Sequence, residues 1–339
     1  MADLWLEPYE EAIAEFPITG TTAAKLEAAL RFARRAPSIH NTQPWRCSVE
    51  GESFLVHADE SRRLRVADPD GRWLLQSVGA LVEYLHLVLR RFGFEGSVTV
   101  SKEPGSLVAR IEPGAMQRVN PGDRRLFDAM PRRRTNRHPF WQQAVPDRTL
   151  DRASRHAAER GVRLTILVRP SDRELLAEWV SAADRLQMAD PAFRRELARW
   201  LRPVGTRKHD GIPSSAGKAP PVLRPIAPLL VRTFDVGDGI AAIDHRLATG
   251  SPALAILWTR GDGRADWVAA GRGLVRALLS LAADGISASF LNQAVEVSSI
   301  RRELASRYGE GEHAQAVLRL GIGSEAPLTP RRTVRTLLR

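Results

Sequence analysis

Two short segments of the sequence are rich in side chains that bind polar rings and phosphate. Residues 37–45 read Pro-Ser-Ile-His-Asn-Thr-Gln-Pro-Trp, which supplies neutral hydrogen-bond donors and acceptors. Residues 132–137 read Arg-Arg-Arg-Thr-Asn-Arg, and a doubly charged phosphate favours several such cationic donors at once. Brought together, the two segments would hold a planar polar ring at one end and a phosphate at the other. The candidate binding residues are Ser38, Asn41, Gln43, Arg133, Thr135 and Arg137.

Each segment also has an ordinary structural interpretation. Exposed arginines are common, so Arg132–Arg134 could be a solvated charged surface. Ser38 and Asn41 follow a predicted helix, and both residue types favour turns. Trp45 begins a predicted strand, so we expect it in the core rather than against a ligand.

Other motifs for catalysis or cofactor binding are weak. Gly237-Asp-Gly239 approximates a dinucleotide-binding pattern, but no convincing strand–helix crossover surrounds it. The eight histidines show no metal-ligand spacing, and the single cysteine, Cys47, excludes an internal disulfide. The sequence contains neither a Walker run nor a Gly-x-Ser-x-Gly elbow. The two segments above therefore remain the main indication of function.

Composition predicts a soluble, cytoplasmic protein without a nucleic-acid partner. No apolar run reaches the roughly 18 residues that a membrane span needs. The first residues are acidic and lack the basic region of a signal peptide. The net charge is +11, but only four of the 50 basic residues are lysines, and the arginines are spread among 39 acidic residues. Such dispersed charge indicates nucleic-acid binding less strongly than a local cluster would.

Two long amphipathic segments indicate an internal duplication. Residues 73–93 and 267–285 each place two glycines 14 positions apart, with an apolar stripe at helical spacing between them. The second glycine of each pair stands where a helix end favours the left-handed conformation. Chance similarity between two amphipathic helices is the alternative. The glycines are Gly79 and Gly93 in the first segment, and Gly271 and Gly285 in the second.

The flanking patterns match as well. In each copy a helix and two strands precede the long segment, and two further short strands follow it. We therefore predict an α+β fold of two tandem units, at residues 1–125 and 126–339. The predicted elements are a helix at 22–36 with strands near 45–49, 53–58, 97–100 and 107–111, and a helix at 147–160 with strands near 163–168, 253–259, 286–290 and 316–320.

The second unit carries a long insertion, at about residues 169–252. It begins with helical patterns at 172–186 and 190–202 and continues into a Gly/Pro/Ser-rich stretch at 203–221. A loop of this length in a compact domain is usually either disordered or functional. We favour a lid.

The motifs resemble those of the FMN-dependent nitroreductase superfamily. Ala36–Trp45 matches its Ala-Pro-Ser-x-x-Asn-x-Gln-Pro-Trp flavin motif, and Arg133–Arg137, followed by Phe140, matches its basic Arg-x-(Ser/Thr)-x-(Arg/Lys) run. The basic pair after Pro330 and the segment from Gly285 to Gln293 are similar too. The duplicated chain most resembles the Acg-type branch, in which one polypeptide mimics the usual dimer.

The resemblance implies the cofactor FMN, bound between the two units of this pseudo-dimer. One unit would supply the cationic run at the phosphate, and the other the Ser/Asn motif. Backbone N–H groups near residues 292–293 would face the flavin edge, although many family members carry Glu-Gly where this chain has Asn-Gln. The implied FMN-binding residues are Ser38, Asn41, Gln43, Arg133, Thr135, Arg137, Asn292, Gln293, Arg331 and Arg332.

The resemblance also implies the reaction. NAD(P)H would transiently donate a hydride to flavin N5, and a small nitro or quinone-type acceptor would then take its place. The cofactor carries this chemistry, so we name no catalytic residue. The alternative is a protein that stores FMN beneath the lid with little turnover.

Only one complete flavin site is expected in each chain. The first unit lacks an Arg-x-Thr-x-Arg run at residues 17–25, and the second has no Ser/Asn motif at residues 161–166 after its first helix. The sister site is therefore predicted to have decayed. A monomer would suffice for cofactor binding.

Overall fold

The computed structural model describes residues 9–203, 205–213 and 221–339. Residues 1–8, on which the expectation of no signal peptide rests, lie outside these ranges. The same holds for residues 204 and 214–220 of the predicted lid. Among the described residues, no helix is both long enough and apolar enough to cross a membrane.

The first unit contains the helices and strands that its hydrophobic periodicity predicts, together with one N-terminal helix that was not predicted, α1. Its N-terminal helices precede a strand pair, a long central helix and a second strand pair. The helices are α1 (Tyr9–Ala14), α2 (Thr22–Ala33) and α3 (Arg72–Arg91), and the strands are β1 (Trp45–Glu50), β2 (Ser53–Ala58), β3 (Ser97–Val100) and β4 (Leu107–Glu112).

The second unit repeats this order around the insertion. It begins with α4 (Pro121–Ala129), α5 (Asp147–Ala158) and β5 (Arg163–Leu167). The insertion contains α6 (Pro170–Ala189), α7 (Pro191–Trp200), β6 (Leu201–Arg202), β7 (Ile212–Pro213), α8 (Ala227–Thr233) and α9 (Gly237–Thr249). The unit ends with β8 (Ala253–Thr259), α10 (Arg264–Ala283), β9 (Ser287–Phe290), α11 (Gln293–Glu296), α12 (Ser298–Tyr308), β10 (His313–Gly321) and α13 (Val334–Leu337).

The two main sheets have the same topology. Within the described parts of the chain, one has the order β1-β2-β4-β3 and the other β5-β8-β10-β9. All neighbouring strands in both are antiparallel. Counted within each unit, the order is first, second, fourth, third in both cases. The α+β class and the tandem units are thus confirmed, whereas the boundary between residues 125 and 126, which falls inside α4, stays a prediction.

The two central helices, α3 and α10, pack directly against each other through the first glycine of each pair. A Cβ at Gly79 would stand 2.3 Å from the carbonyl oxygen of Val268, and a Cβ at Gly271 would stand 1.9 Å from that of Gln76. Neither position has room for a side chain, because the obstacle is backbone. The second glycines, Gly93 and Gly285, follow the helix ends with φ of 84° and 76° and confirm the predicted helix ends.

The hydrophobic core has two parts, one for each unit, and each part borrows from the other unit. Trp45 is fully buried in the first, as predicted, beside Val268 and Val275 of α10. Trp73 of α3 belongs to the second. The central helices therefore contribute to both cores, so neither unit is packed as an independent body.

The C-terminal segment of the second unit reaches the sheet of the first. Leu337 of α13 is fully buried in the first core. Leu338 forms a parallel bridge with Cys47 on β1, and the N–H of Arg339 donates to the carbonyl oxygen of Cys47 at 2.8 Å. Strand β1 is an edge strand of its sheet, and this segment covers that edge.

The insertion is mostly helical. Both helices predicted at its start are present as α6 and α7; α7 starts with Pro191 and is capped by the side chain of Asp190, which accepts from the N–H of Ala192. Helices α8 and α9 were not predicted. Helix α9 begins at Gly237 and follows α8 rather than a strand, which removes the context that a dinucleotide-binding turn needs.

Candidate functional site

A cavity of about 510 Å³ lies between the two units, a volume typical of cofactor sites. The segment after α2 and the N-terminal half of α3 form its wall in the first unit. The second unit contributes residues between α4 and α5, the end of β9 and the segment after it, single residues of α10 and β10, the C-terminal segment, and the insertion. Eight of the ten predicted binding residues line the cavity: Ser38, Asn41, Arg133, Thr135, Arg137, Asn292, Gln293 and Arg331.

The Ser/Asn motif forms an irregular turn with unusual backbone angles. His40, Asn41 and Gln43 have φ of 45°, 54° and 49°, in the left-handed region that side chains disfavour. The hydroxyl of Ser38 stabilises the turn by accepting from the N–H of Gln43 at 3.0 Å. Backbone held in this way marks functional turns in many proteins, because the rest of the fold must offset the strain.

Asn41 presents an unused acceptor at the cavity wall. Its Nδ2 donates to the carbonyl oxygens of Gly211 at 3.1 Å and Pro330 at 3.0 Å. Its Oδ1 is buried and has no hydrogen-bond partner in the described structure. Because a buried acceptor without a partner is costly, this atom favours a ligand that brings an N–H or O–H group.

Arg133 is a buried cation fixed by neutral partners. Its Nε donates to the hydroxyl of Tyr84 at 3.0 Å, and its Nη2 donates to the carbonyl oxygen of Arg35 at 3.3 Å. These contacts orient the guanidinium without neutralising it. The hypothesis that residues 132–134 are only a solvated surface is therefore wrong for Arg133, whereas Arg132 is exposed.

Arg331 strengthens this cationic end of the cavity. Its Nε is buried without a hydrogen-bond partner in the described structure, and its Nη1 donates to the hydroxyl of Thr329 at 2.5 Å. Burial, and then the guanidinium of Arg133, lower the pKa of Arg331 to about 9, and Arg34 and Arg35 act in the same direction. Several guanidiniums thus lie close together at this end of the cavity, and a bound anion would stabilise them.

Arg137 and Arg319 form a second cationic pair that lines the cavity. Burial lowers the pKa of both, to about 10 for Arg319, and Asp244 opposes the shift in each case. Sequence reasoning missed Arg319. A single arginine among the apolar residues 316–320 of strand β10 was the available signal, since a charge is seldom buried without a partner or a role.

Asn292 and Gln293 line the cavity, but their side chains already have partners. Asn292 Oδ1 accepts from the N–H of Val317 at 3.0 Å. Gln293 Nε2 donates to Asp184 Oδ1 at 2.9 Å and to Asp244 Oδ2 at 2.7 Å. Asp184 lies on α6 and Asp244 on α9, so Gln293 ties the end of β9 to the insertion.

No family model matches the chain, but full-length relatives exist. The chain is 30% identical over 317 residues to the Mycobacterium tuberculosis protein named "Putative NAD(P)H nitroreductase Rv3131", a match that covers 91% of this chain and 90% of the relative. It is 27% identical over 326 residues to "Putative NAD(P)H nitroreductase acg" from the same species, a match that covers 94% of this chain and 96% of the relative. The chain belongs to the nitroreductase family. Within the family it falls with the acg branch.

Some solved nitroreductase structures show weak similarity. The FMN-dependent nitroreductase NfnB from Mycobacterium smegmatis in complex with NADPH has a TM-score of 0.41 and 17% identity, over 63% of this chain and 98% of that one. A nitroreductase with bound FMN from Bacteroides fragilis has a TM-score of 0.38 and 14% identity, over 61% and 93%. The family assignment rests on the mycobacterial relatives.

Two of the predicted binding residues, Gln43 and Arg332, lie behind the cavity wall. Gln43 Nε2 donates to the carbonyl oxygen of His209 at 2.9 Å. Gln43 Oε1 accepts from the N–H of Arg332 at 2.8 Å, and Arg332 Nη1 donates to the carbonyl oxygen of Gln43 at 3.0 Å. The structure does not bring these two side chains to the cavity, because backbone groups occupy their polar atoms. They position the turn and the C-terminal segment instead.

The insertion supplies an apolar wall that sequence reasoning did not assign to the site. Its helices α6 to α9 contribute large apolar side chains to the cavity lining. The amphipathic pattern of α6 and α7 was the available signal, but a pattern does not tell which surface an apolar face covers. These lining residues are Met188, Phe193, Leu197, Leu230, Val231, Ile240, Ile243 and Leu247.

Proposed function

We propose that this nitroreductase binds FMN in the cavity and passes electrons from NAD(P)H to a small nitro or quinone-type acceptor. The observation that carries the proposal is Arg331: in the described part of the chain its Nε is buried without a hydrogen-bond partner, in a cavity wall where the like charge of Arg133 lies close enough to lower its pKa. A flavin phosphate is the anion that would complete this group. The names of the curated relatives support NAD(P)H as the electron donor.

The remaining donors and acceptors fit the rest of the cofactor. Arg133, Arg331 and the hydroxyl of Thr135 would bind the phosphate. Ser38 and the free Oδ1 of Asn41 would face hydroxyl or N–H groups of the ribityl chain and ring. FMN, when bound, supplies the hydride chemistry, and the chain orients it and excludes water.

The proposed cofactor site draws on both units of one chain. The turn of residues 38–43 comes from the first unit, and the cationic run of residues 133–137 from the second. We therefore propose that the chain acts as a pseudo-dimer and needs no second copy to bind FMN.

A double substitution tests the cofactor proposal. Arg133→Ala with Arg137→Ala removes one buried and one partly buried cation of the cavity wall, and hydrogen bonds to charged groups contribute about 1.5–3 kcal/mol each. We expect the purified protein to lose its flavin absorbance while its far-UV circular dichroism is unchanged. Arg132→Ala, at the exposed neighbour in the same run, is the matched control and should retain FMN. Full flavin retention in the double variant would refute the assignment.

FMN storage is the second candidate function, and one set of contacts favours it. Residues 209–211 are bound to the Ser/Asn turn: the N–H of Gly211 donates to the carbonyl oxygen of Asn41 at 3.2 Å, and Asp210 pairs with both Arg62 and Arg202. This segment belongs to the predicted lid. Held in place, it would keep a nicotinamide away from the flavin.

Reduction experiments distinguish the two functions. A working reductase should bleach its flavin bands with anaerobic NADPH, whereas a storage protein should bleach only with dithionite. Asp210→Asn weakens both ion pairs of the segment, and deletion of residues 205–218 removes it. If the segment is a lid, both changes should raise the rate of reduction by NADPH. Rates equal to wild type would argue against occlusion.

A further inference from the structure

The cavity contains an acidic side chain that FMN binding does not use. Glu296 is the last residue of α11, one turn after Gln293, and it lines the cavity. Gln187 of α6, which also lines the cavity, donates from its Nε2 to Glu296 Oε2 at 2.6 Å. The carboxyl group is thus oriented by a neutral partner from the insertion.

The charged groups around Glu296 do not form a close ion pair with it in the described structure. Arg72 on α3 donates from Nη1 to the carbonyl oxygen of Ala314 at 3.3 Å, and from Nη2 to that of Val295. Asp68 accepts from the N–H groups that begin α3. Burial raises the pKa of Glu296 to about 7, while the Gln187 hydrogen bond and Arg72 lower it and Asp68 raises it further. At neutral pH a large fraction of this carboxyl retains its proton.

The other titratable groups of the cavity wall have different environments. Burial, and then Arg137, lower the pKa of His40 to about 4, so its imidazole is neutral. Asp244 faces the guanidiniums of Arg137 and Arg319. Asp184 accepts from Gln293, as Asp244 does. Glu296 is therefore the group of this set that combines cavity access with a proton available near pH 7.

We propose that Glu296 is a catalytic acid that donates its proton to an oxygen of the electron acceptor. This inference rests on the proposed reductase function. Reduction of a quinone to a hydroquinone takes one hydride equivalent and one proton, as does reduction of a nitro group to a nitroso group and water. NAD(P)H is the source of the hydride equivalent. The O–H bond of Glu296 breaks, a new O–H bond forms on the acceptor, and the carboxylate regains a proton from solvent.

Single-turnover reoxidation tests the proposal without depending on NAD(P)H. FMN-loaded protein is reduced with dithionite, freed of excess reductant, and mixed anaerobically with menadione between about pH 5 and about pH 9. Wild-type reoxidation should slow as the pH rises through about 7, where Glu296 loses its proton. Glu296→Gln should be slower at neutral pH by about 10²-fold and should lack this pH dependence.

Two further variants separate proton donation from a structural role. Glu303→Gln, on the exposed face of α12, is the matched control and should behave as wild type. Gln187→Leu removes the hydrogen bond that favours the carboxylate, so the inflection should move to higher pH. A Glu296→Gln protein with wild-type rate and pH profile would overturn the proposal.

Thermal melting of flavin-free protein gives a readout that needs no turnover. The folded-state pKa of about 7 exceeds the ordinary value of 4.5, so the contribution of Glu296 to stability is present at low pH and is lost as pH rises between these values. The Tm of Glu296→Gln should therefore rise relative to wild type across this window. A constant difference would show that Glu296 does not hold the proton. Failure of wild type to take up FMN would instead refute the proposed function itself, before any rate is measured.

Discussion

The duplication creates two equivalent positions, one beside each central helix. The position beside α3 is a cavity, whereas the position beside α10 is filled by side chains. Matching Gly79 with Gly271 makes Ala80 on α3 equivalent to Arg272 on α10. Ala80 lines the cavity, where its small side chain leaves space. Arg272 instead points its guanidinium at a carboxylate, Glu83. One position is open to a ligand, and the other is filled by side chains.

The two positions also differ in how their charged side chains are paired. Glu83 is completely buried and accepts from Arg160, Arg272 and Arg276 at 2.8–2.9 Å. Burial alone would raise the pKa of Glu83, yet these guanidiniums hold it well below its usual range. At the cavity, the charged groups that act on the pKa of Arg331 are mainly other arginines, Arg133 first among them. The contrast is one of charge: at the filled position a buried carboxylate neutralises guanidiniums from several helices, whereas among the described residues no carboxylate forms an ion pair with Arg133 or Arg331 at the cavity.

The largest change in unfolding free energy should come from removing the charge of Glu83 at the filled position. Glu83→Gln leaves three arginines around a neutral amide, and loss of one partner from a buried charge cluster costs about 3–5 kcal/mol. We expect this loss of unfolding free energy in urea denaturation at neutral pH. Glu50→Gln, at an exposed glutamate that pairs with Arg110, should cost less than about 1 kcal/mol. Equal effects for the two glutamates would remove the basis of the comparison.

A somewhat smaller loss should follow from separating the two central helices. Gly271→Ala forces its Cβ against the carbonyl oxygen of Gln76, and we expect a cost of about 3 kcal/mol. Flavin affinity should fall as well, because Gln76 lines the cavity. Gly239→Ala on α9, where nothing lies within 4 Å of the new Cβ, should leave unfolding free energy nearly unchanged or raise it. An unaltered midpoint for Gly271→Ala would contradict the close helix contact.

The smallest change in stability is expected at the open position, and it should have the opposite sign. Arg331→Met relieves repulsion among like charges, so flavin-free protein should gain up to about 1 kcal/mol. The same variant should bind FMN about 10²-fold more weakly in a fluorescence titration, because a charged donor to the phosphate is lost. Arg335→Met, at an exposed arginine nearby, should change neither quantity. Destabilisation by Arg331→Met would place this arginine in the scaffold.

Much of the fold follows from local sequence patterns, and the site follows only in part. Helical periodicity and paired glycines are local properties, so α3, α10 and the strands around them could be predicted. The two motifs identified most of one cavity wall for the same reason. The apolar wall from α8 and α9, and the approach of Glu296, depend on how the insertion folds back onto β9. That arrangement is set by tertiary packing, which no local pattern records.

Gln43 is a predicted binding residue whose side-chain direction could not be read from the sequence motif. Its residue type and its place in the motif suggest ligand contact, but its amide bonds to the backbone of His209 and Arg332. Sequence proximity to Ser38 and Asn41 does not distinguish a side chain that faces the cavity from one that supports it. Only the direction of the chain through the left-handed turn decides this.

The segment that ends at Arg339 has a consequence for biosynthesis. During translation the first sheet is made early, yet the residues that cover its β1 edge emerge from the ribosome only after the whole second unit. Until then the edge exposes unpaired N–H and C=O groups, which invite pairing with other chains. Truncation of the chain before residue 334 would therefore harm the half of the protein that was synthesised first. Nascent chains of this protein should need protection from aggregation for longer than the early completion of their first sheet suggests.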